Sequence, residues 1–375
     1  MNSPVKISTL GKSSLFLGVI GVLGLGTSGA EQWETTVSRL QPALAKAYVS
    51  SVPSGMGANL NTGWYRKPPS PTKLDFNIRG GVVAMATLVG GGKKTLNIAS
   101  ALTFDTASAQ HIAQRLDTTG MGPNAGSIRD SLISVLLRDE SNVQFRGPTI
   151  LGSNRDTIRI YYTARSVVVP TSSGSDTVNI GNDTVPVLGG TGLLGNLPGL
   201  MSRLQAIPLF IPQLTLGTVM GTSLTLRWLP ETQTLEELGT VKIFGIGILH
   251  NPAIWFENKI PVDFTVGYFN QKLEVGNLMV AKSWATSLNV SKTFGKTFIG
   301  VTPYGGIQYE QTTMNFTYDY RDRDGNVAPV KFTVEGENTL RATVGLNVRV
   351  LAINLNADLG IAKYPVGSFG VMIGI

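Results

Sequence analysis

Few residues in this chain have the type and spacing for chemistry. Gly190, Gly192 and Gly195 complete a GxGxxG after the apolar run Val185–Leu188, the spacing with which a strand-to-helix turn brings backbone amides against a pyrophosphate. Such a site also needs an acidic residue some twenty positions on for the ribose. Between Asp183 and Glu231 there is no Asp or Glu, and Pro198 falls early in the required helix. Asp322, Asp324, Gly325 and Asn326 resemble part of a calcium loop, but Tyr320 stands where the first ligand belongs. No bidentate glutamate follows, so a tight hairpin turn accounts for them better. His111 and His250 lack a partner pattern, and without cysteine they make no zinc site. No GxSxG elbow is present for an activated serine. The expectation is a non-enzyme with no catalytic residue, no cofactor and no metal.

What remains is charge placed at regular intervals inside apolar segments: Asp75, Arg79, Lys242, Asp263, Glu310, Arg341, Arg349 and Asp358. On the polar phase of a strand such groups line a lumen. There they select solutes, or pair across it to hold it shut; the sequence leaves both open.

The elements that would position them are strands. Ala342, Val344, Leu346, Val348 and Val350 alternate with Arg341, Thr343, Gly345, Asn347 and Arg349, a period of two. At Val350 and Leu351 the phase slips, which marks a tight turn. Leu351, Ile353, Leu355, Ala357, Leu359 and Ile361 then form the apolar set, and Phe369, Val371, Ile373 and Ile375 end the chain in the same manner. No charge interrupts these apolar faces, as in a wall between lipid and a polar interior. A soluble antiparallel sheet with one wet face gives the same alternation, so a secreted β-sandwich that binds protein or carbohydrate stands as the other fold.

Composition and the amino terminus favour the membrane. Charged residues are 15% of the chain, against about 25% in soluble domains. Lys6 and Lys12 precede the apolar run Ser14–Leu25, with small Ser28 and Ala30 before Glu31, the layout of a secretory signal over residues 1–30. The apolar run is short for a transmembrane helix, and an exported chain of amphipathic strands closes into a barrel if it enters a bilayer. Net charge is +7, or +5 without the two signal lysines. No basic cluster with interleaved aromatics points to nucleic acid.

The expected organisation is an amino-terminal helix over 31–51 within a helix-and-turn segment 31–72, then an all-β transmembrane barrel over 73–375. Its strands are Lys73–Leu88 and Lys94–Asp105 as a hairpin, Val143–Leu151, Thr157–Pro170, Gln213–Trp228, Thr240–His250, Val262–Val275, Trp284–Thr293, Phe298–Tyr318, Val330–Val350 and the two final runs. That makes about twelve, within a range of about ten to fourteen. Insertions at 106–142, with a short amphipathic helix Ser127–Leu137, and at 171–210 interrupt the series. Strand parity puts both on the periplasmic side, from which they would fold into the lumen as a plug. Trp228, Trp255, Phe256, Tyr268, Trp284, Tyr318, Tyr320 and Tyr364 lie near strand ends, where an aromatic girdle sits.

Several segments carry a resemblance: Ala58–Tyr65 (ANLNTGWY), Gly147–Gly152 (GPTILG), Leu216–Pro230 and Lys242–Phe269. They are similar to a family of exported bacterial proteins of unassigned function that are read as outer-membrane barrels. The resemblance implies that fold and location and assigns no substrate. A looser likeness is to the long-chain fatty-acid transport barrels, whose Asn-Pro-Ala motif lies in an amino-terminal hatch. Here Asn251, Pro252 and Ala253 occur in mid-chain, so the motif is not carried over. The functional expectation is a porin-like barrel or one that takes up small or hydrophobic solutes, and the alternative is a closed structural or adhesive barrel. Its partners would be outer-membrane lipid and the barrel-assembly machinery, although the chain ends on Ile375 instead of the usual aromatic residue.

Overall fold

The computed structural model describes residues 42–375 apart from 91–93, 105, 118–123, 150, 153–155, 157, 172–173, 182, 187–205, 236–238, 257–260, 296–297, 322–326 and 375; at some positions inside elements, Tyr318 and Tyr320 among them, the backbone alone is described. The signal segment, the first part of the expected 31–51 helix, the GxGxxG glycines and the Asp322–Asn326 turn lie outside the described residues. The described chain opens with α1 (Pro42–Val49) and α2 (Ser51–Leu60), then β1 (Leu74–Leu88). An inserted module follows: β2 (Thr95–Leu102), α3 (Thr106–Gln114), α4 (Ala125–Arg138), β3 (Ser141–Pro148), β4 (Arg159–Tyr162), β5 (Arg165–Thr171), β6 (Gly174–Ile180) and β7 (Asp183–Pro186). The remaining strands are β8 (Ala206–Val219), β9 (Thr222–Leu235), β10 (Gly239–His250), β11 (Asp263–Val275), β12 (Met279–Ser291), β13 (Phe294–Gly295), β14 (Ile299–Arg321), β15 (Val327–Glu335), β16 (Leu340–Val350), β17 (Ile353–Ile361) and β18 (Val366–Gly374).

Ten strands close into an antiparallel barrel in the order β12, β11, β10, β9, β8, β1, β18, β17, β16, β14, and β14 pairs back onto β12. Two strands hang on that path. β15 pairs with the outer part of β14 in line with β16, and β13 forms a two-residue pair with the start of β14.

Burial follows the alternation with its sign reversed relative to a soluble protein. On β16, Val344 and Leu346 are exposed while Arg341 and Asn347 are 2% exposed; on β18, Phe369 and Ile373 face out. Water would drive the oily set inward. An exposed apolar band around a polar interior is a transmembrane barrel, in which every strand edge is paired. That arrangement displaces the soluble sandwich.

Three parts of the sequence expectation change. Val330–Val350 is two strands, β15 and β16, broken between Glu335 and Leu340, which pair with different parts of β14. β2 is not the hairpin partner of β1: it pairs with β3 in a separate sheet β2–β3–β4–β7, and β5 and β6 form a ribbon of their own. The candidates at 94–105, 143–151 and 157–170 therefore leave the barrel. Gln213–Trp228 is two strands, because Met220 and Gly221, both with positive φ, form a two-residue loop between the paired Val219 and Thr222. Positive φ at both central residues is the hairpin geometry that suits strand twist. The turn was hidden because two phase shifts cancel. A bulge between Leu216 and Val219 moves the chain by one face, and the tight loop moves it back.

This changes which end carries the insertion. Gly374 pairs beside Arg79, and Leu88 pairs with Ala206. Residues 89–205 therefore leave the barrel at the end opposite the terminus of β18. The connections at 220–221, 251–262, 292–298 and 351–352 share the β18 terminus and form the turn end. The inserted module shares the loop end with the connections at 276–278 and 362–365 and with the strand ends at Leu235, Gly239, Arg321 and Val327. Losing three strands and dividing Gln213–Trp228 reverses the parity that had put 106–142 and 171–210 on the periplasmic side. Among the described residues of the module, Ile128, Leu132 and Leu136 of α4 join Phe145 and Ile160 in a core that continues into Leu44 and Tyr48 of α1 and into Val83, Ile207 and Met314 of the barrel wall.

Candidate functional site

The lumen is the site, and the amino-terminal segment fills it. Every residue of α2 is buried, although SVPSGMGANL reads as turn-forming rather than helical. Tight quarters explain the composition. A Cβ on Gly57 would stand 2.7 Å from the Thr312 hydroxyl, and one on Gly55 would collide with Ile207 Cδ1. The wall holds α2 by polar contacts: Asn59 Nδ2 donates to Ile207 O at 2.7 Å, and Thr87 Oγ1 lies 2.8 Å from Gly55 O.

Below the helix the chain continues through the lumen as residues 61–71. Arg227, on β9 and 0% exposed, grips it. Its Nη1 donates to Leu60 O at 3.2 Å and its Nη2 to Thr62 O at 2.7 Å, while the guanidinium lies 3.8 Å from the Trp64 ring centre. Nε and Nη1 are anchored on Gln213 of the adjacent β8 and on Gln271 of β11, two strands away. Trp64 in turn stacks on Phe269 at 5.1 Å. Across the barrel, Arg341 Nη2 donates to Ala58 O at 2.9 Å and to Glu310 Oε1 at 2.7 Å, and Gln308 reaches Asn61 O. Charge-assisted bonds of this kind are about twice as strong as neutral ones. Tyr65 donates to Ser291 and meets Tyr304 edge-on. The segment leaves at the turn end, where Asn251 Nδ2 donates to Pro69 O at 2.9 Å. The Asn-Pro-Ala residues thus form a short 3-10 turn, capped by Asn251, that latches the plug.

Of the sequence candidates, Glu310, Arg341 and Asp358 face the mid-lumen, where Asp358 accepts from Tyr304 Oη at 3.0 Å. Asp75, Arg79, Asp263 and Arg349 gather half-buried or in partial contact with solvent at the turn end. Lys242 is a correction: it faces outward beside Phe244, because on β10 the buried set is Val241, Ile243, Gly245 and Gly247. It lies across from Glu274 in the register of β10 and β11, on the outer wall near the loop end. Trp228, Trp255 and Tyr268 are exposed on the outer wall, and Trp284 lies half-buried against Tyr309. Tyr364 is a second correction. It is 1% exposed in the connection before β18, where its backbone N–H donates to Asn338 and its hydroxyl meets Glu337. Burial pushes that hydroxyl up to about 12. The Tyr318 side chain lies outside the described residues. His111, in the inserted module, and His250, beside Trp255 at the turn end, stand at opposite ends of the molecule. Among the described residues no group of three metal-ligating side chains comes together.

Sequence reasoning missed Arg227, Arg66 and Lys67. Arg227 shares the alternation phase of Ser223 and Thr225, which was the available signal; Arg66 and Lys67 sit in a segment without periodicity. Arg66 is buried, with its guanidinium against Gly370.

Solved structures with related folds are outer-membrane proteins. OmpT of Vibrio cholerae matches at 8% identity over 80% of this chain and 100% of its own, with a TM-score of 0.22. The FrpB iron transporter of Neisseria meningitidis matches at 11% identity over 76% and 53%, with a TM-score of 0.17. The β domain of the Bordetella autotransporter BrkA matches at 9% identity over 80% and 99%, with a TM-score of 0.18. Likenesses this low carry no functional argument, and the barrel stands on its own strand pairing. No curated protein matches the chain. A family model does, over residues 13–375, and the chain belongs to that family of unknown function, DUF6588.

Proposed function

We propose that this protein is a non-enzymatic barrel of the bacterial outer membrane, held closed by its own residues 42–71, that displays the inserted module at its outer end. The observation that carries the reading is the grip of Arg227 and Arg341 on three plug carbonyls, Ala58, Leu60 and Thr62. An open porin keeps its lumen charges in water. Here two arginines almost without solvent contact spend their donors on backbone. Support for the location comes from the signal character of residues 1–30 and from the apolar outer band. The two-residue turns at 220–221 and 351–352 suit a periplasmic turn end, which puts the module outside the cell.

A second reading is gated uptake of a small solute, favoured by the fact that the plug is held by hydrogen bonds and packing. Reconstitution in planar bilayers separates the two. The closed barrel gives no steady conductance, and a stable open channel in the wild-type protein refutes it.

A further inference from the structure

At the turn end, the plug segment Lys67–Pro71 and the wall enclose a cavity of about 190 Å³. Lys67 enters from the plug side, and Arg349 of β16, Asn354 of β17, Asn347, Thr302 and Asp263 come from the wall. The volume is below that of sites for drug-sized ligands and suits a small ion with its water.

Two cations, Lys67 and Arg349, line the cavity, and a third lies near it. Arg349 lies along Gly300, its Nη2 3.4 Å from where a Cβ would stand. Arg79, on the neighbouring inward face, is within electrostatic reach of both Arg349 and Lys67. The nearby carboxylates take hydrogen bonds from neutral donors: Asp75 from Ser70 and Asn77, Asp263 from Asn251. Arg79 is bonded to the amide oxygen of Asn77. Burial, and then the charges of Arg79 and Arg349, push Lys67 down to about 8 against the opposing pull of Asp75. Asn354, 4% exposed, has an Oδ1 with no hydrogen-bond partner, and a half-turn of that amide presents two N–H donors instead.

We propose that this cavity binds a phosphate group, with Lys67 and Arg349 supplying charge, Asn347 and Asn354 supplying neutral donors, and Asp263 accepting the proton that phosphate carries near neutral pH. Sulfate has no such proton and would set a bare anion against Asp263. The ligand is free phosphate or the exposed phosphate of a monoester headgroup. The site exists with the plug docked, since Lys67 belongs to the plug, and it requires no movement of it.

The test is calorimetric titration of the full-length protein in a non-ionic detergent and a phosphate-free buffer, with inorganic phosphate, glycerol phosphate and sulfate as separate titrants. Phosphate should bind, and sulfate more weakly. Arg349→Gln and Lys67→Gln should each weaken phosphate binding about tenfold or more, the loss expected of one charge-assisted hydrogen bond. Lys242→Gln, on the outer wall, should change nothing. Glycerol phosphate binding at least as well as inorganic phosphate assigns the site to a headgroup, and binding of inorganic phosphate alone assigns it to the free ion. Absence of heat from both, or unchanged binding in both variants, overturns the proposal. Sulfate binding as tightly as phosphate overturns the part given to Asp263. Should Arg349→Gln lose its heat-modifiable gel mobility, Lys67→Gln carries the test, because Lys67 lies outside the strands.

Discussion

Replacing Arg227 by methionine removes the grip on the plug while keeping most of the side-chain volume. Two bonds to plug carbonyls are lost, at 3.2 and 2.7 Å, each worth about 1.5–3 kcal/mol as a charge-assisted bond. The stacking over Trp64 at 3.8 Å adds about 1–2 kcal/mol in a desolvated setting. Against this, methionine avoids burying a guanidinium, and water reaches the freed carbonyls once the plug shifts. Roughly half of the gross loss then survives, about 2–4 kcal/mol, which corresponds to amide exchange in residues 60–65 faster by about 30- to 1000-fold. Hydrogen exchange of the detergent-solubilised protein reads this directly, with heat-modifiable mobility as the check that the barrel is intact. A folded Arg227→Met protein whose plug exchanges within about threefold of wild type, a difference under 1 kcal/mol, would refute the clamp.

Other consequences follow from the same geometry. Glu310→Ala leaves Arg341 buried without its carboxylate at 2.7 Å, so the urea midpoint should drop by an amount worth about 3–5 kcal/mol; Glu310→Ala with Arg341→Met should recover much of it. Gly247→Ala puts a methyl 2.8 Å from the Trp64 ring, and overpacking of this kind costs about 1–3 kcal/mol, read as a shift in tryptophan fluorescence with lower thermal stability. Lys67 has its usual value near 10.5 when the plug is undocked and about 8 when docked. Between those values docking releases a proton, so docking strengthens as pH rises from about 8 towards 10.5. Plug exchange, corrected for its intrinsic pH dependence, should slow across that window, and Lys67→Met should abolish the slope. Residues 89–205 can be replaced by a short turn, because Leu88 and Ala206 are already paired. The shortened chain should still fold with heat-modifiable mobility, and failure to do so would make the module part of the barrel's folding unit.

The wall was legible in the sequence because lipid and lumen impose opposite demands on successive residues. Val344, Leu346, Phe369 and Ile373 had to face out once Arg341, Asn347 and Ser368 faced in. The separate sheets of the inserted module were not legible. Its strands alternate as barrel strands do, and nothing in Thr95–Leu102 says that its partner is Ser141–Pro148 rather than Leu74–Leu88. Lys242 failed for a related reason: near a strand end polar residues occur on both faces, so a charge there does not identify the inner one. Tyr364 failed because nearness to a strand end does not say which way a ring points. The plug was invisible for a different cause. A helix confined between barrel walls is selected for small side chains, so Gly55 and Gly57 fit where better helix formers would collide with Ile207 and Thr312, and propensity then argues against the helix that forms.

Depth along the barrel sorts the inward charges into two roles. Arg227, Arg341 and Glu310 are at most 2% exposed, and they bond to plug carbonyls, to one another or to the wall glutamines Gln213, Gln271 and Gln308. Asp75, Arg79 and Asp263 at the turn end keep contact with solvent. The first set holds the plug, and the second faces the solvent at the turn end. Were the plug to withdraw, the deep arginines would meet water instead of carbonyls, an exchange that leaves them hydrogen-bonded and removes the penalty of their burial. On the proposed reading, closing and conducting are compatible with the same wall residues, and the segment 42–71 would decide between them. Bilayer recordings of a protein lacking residues 42–71 isolate that segment: steady conductance from the folded, shortened barrel shows that the plug alone holds it shut, and continued silence places the seal in the wall itself.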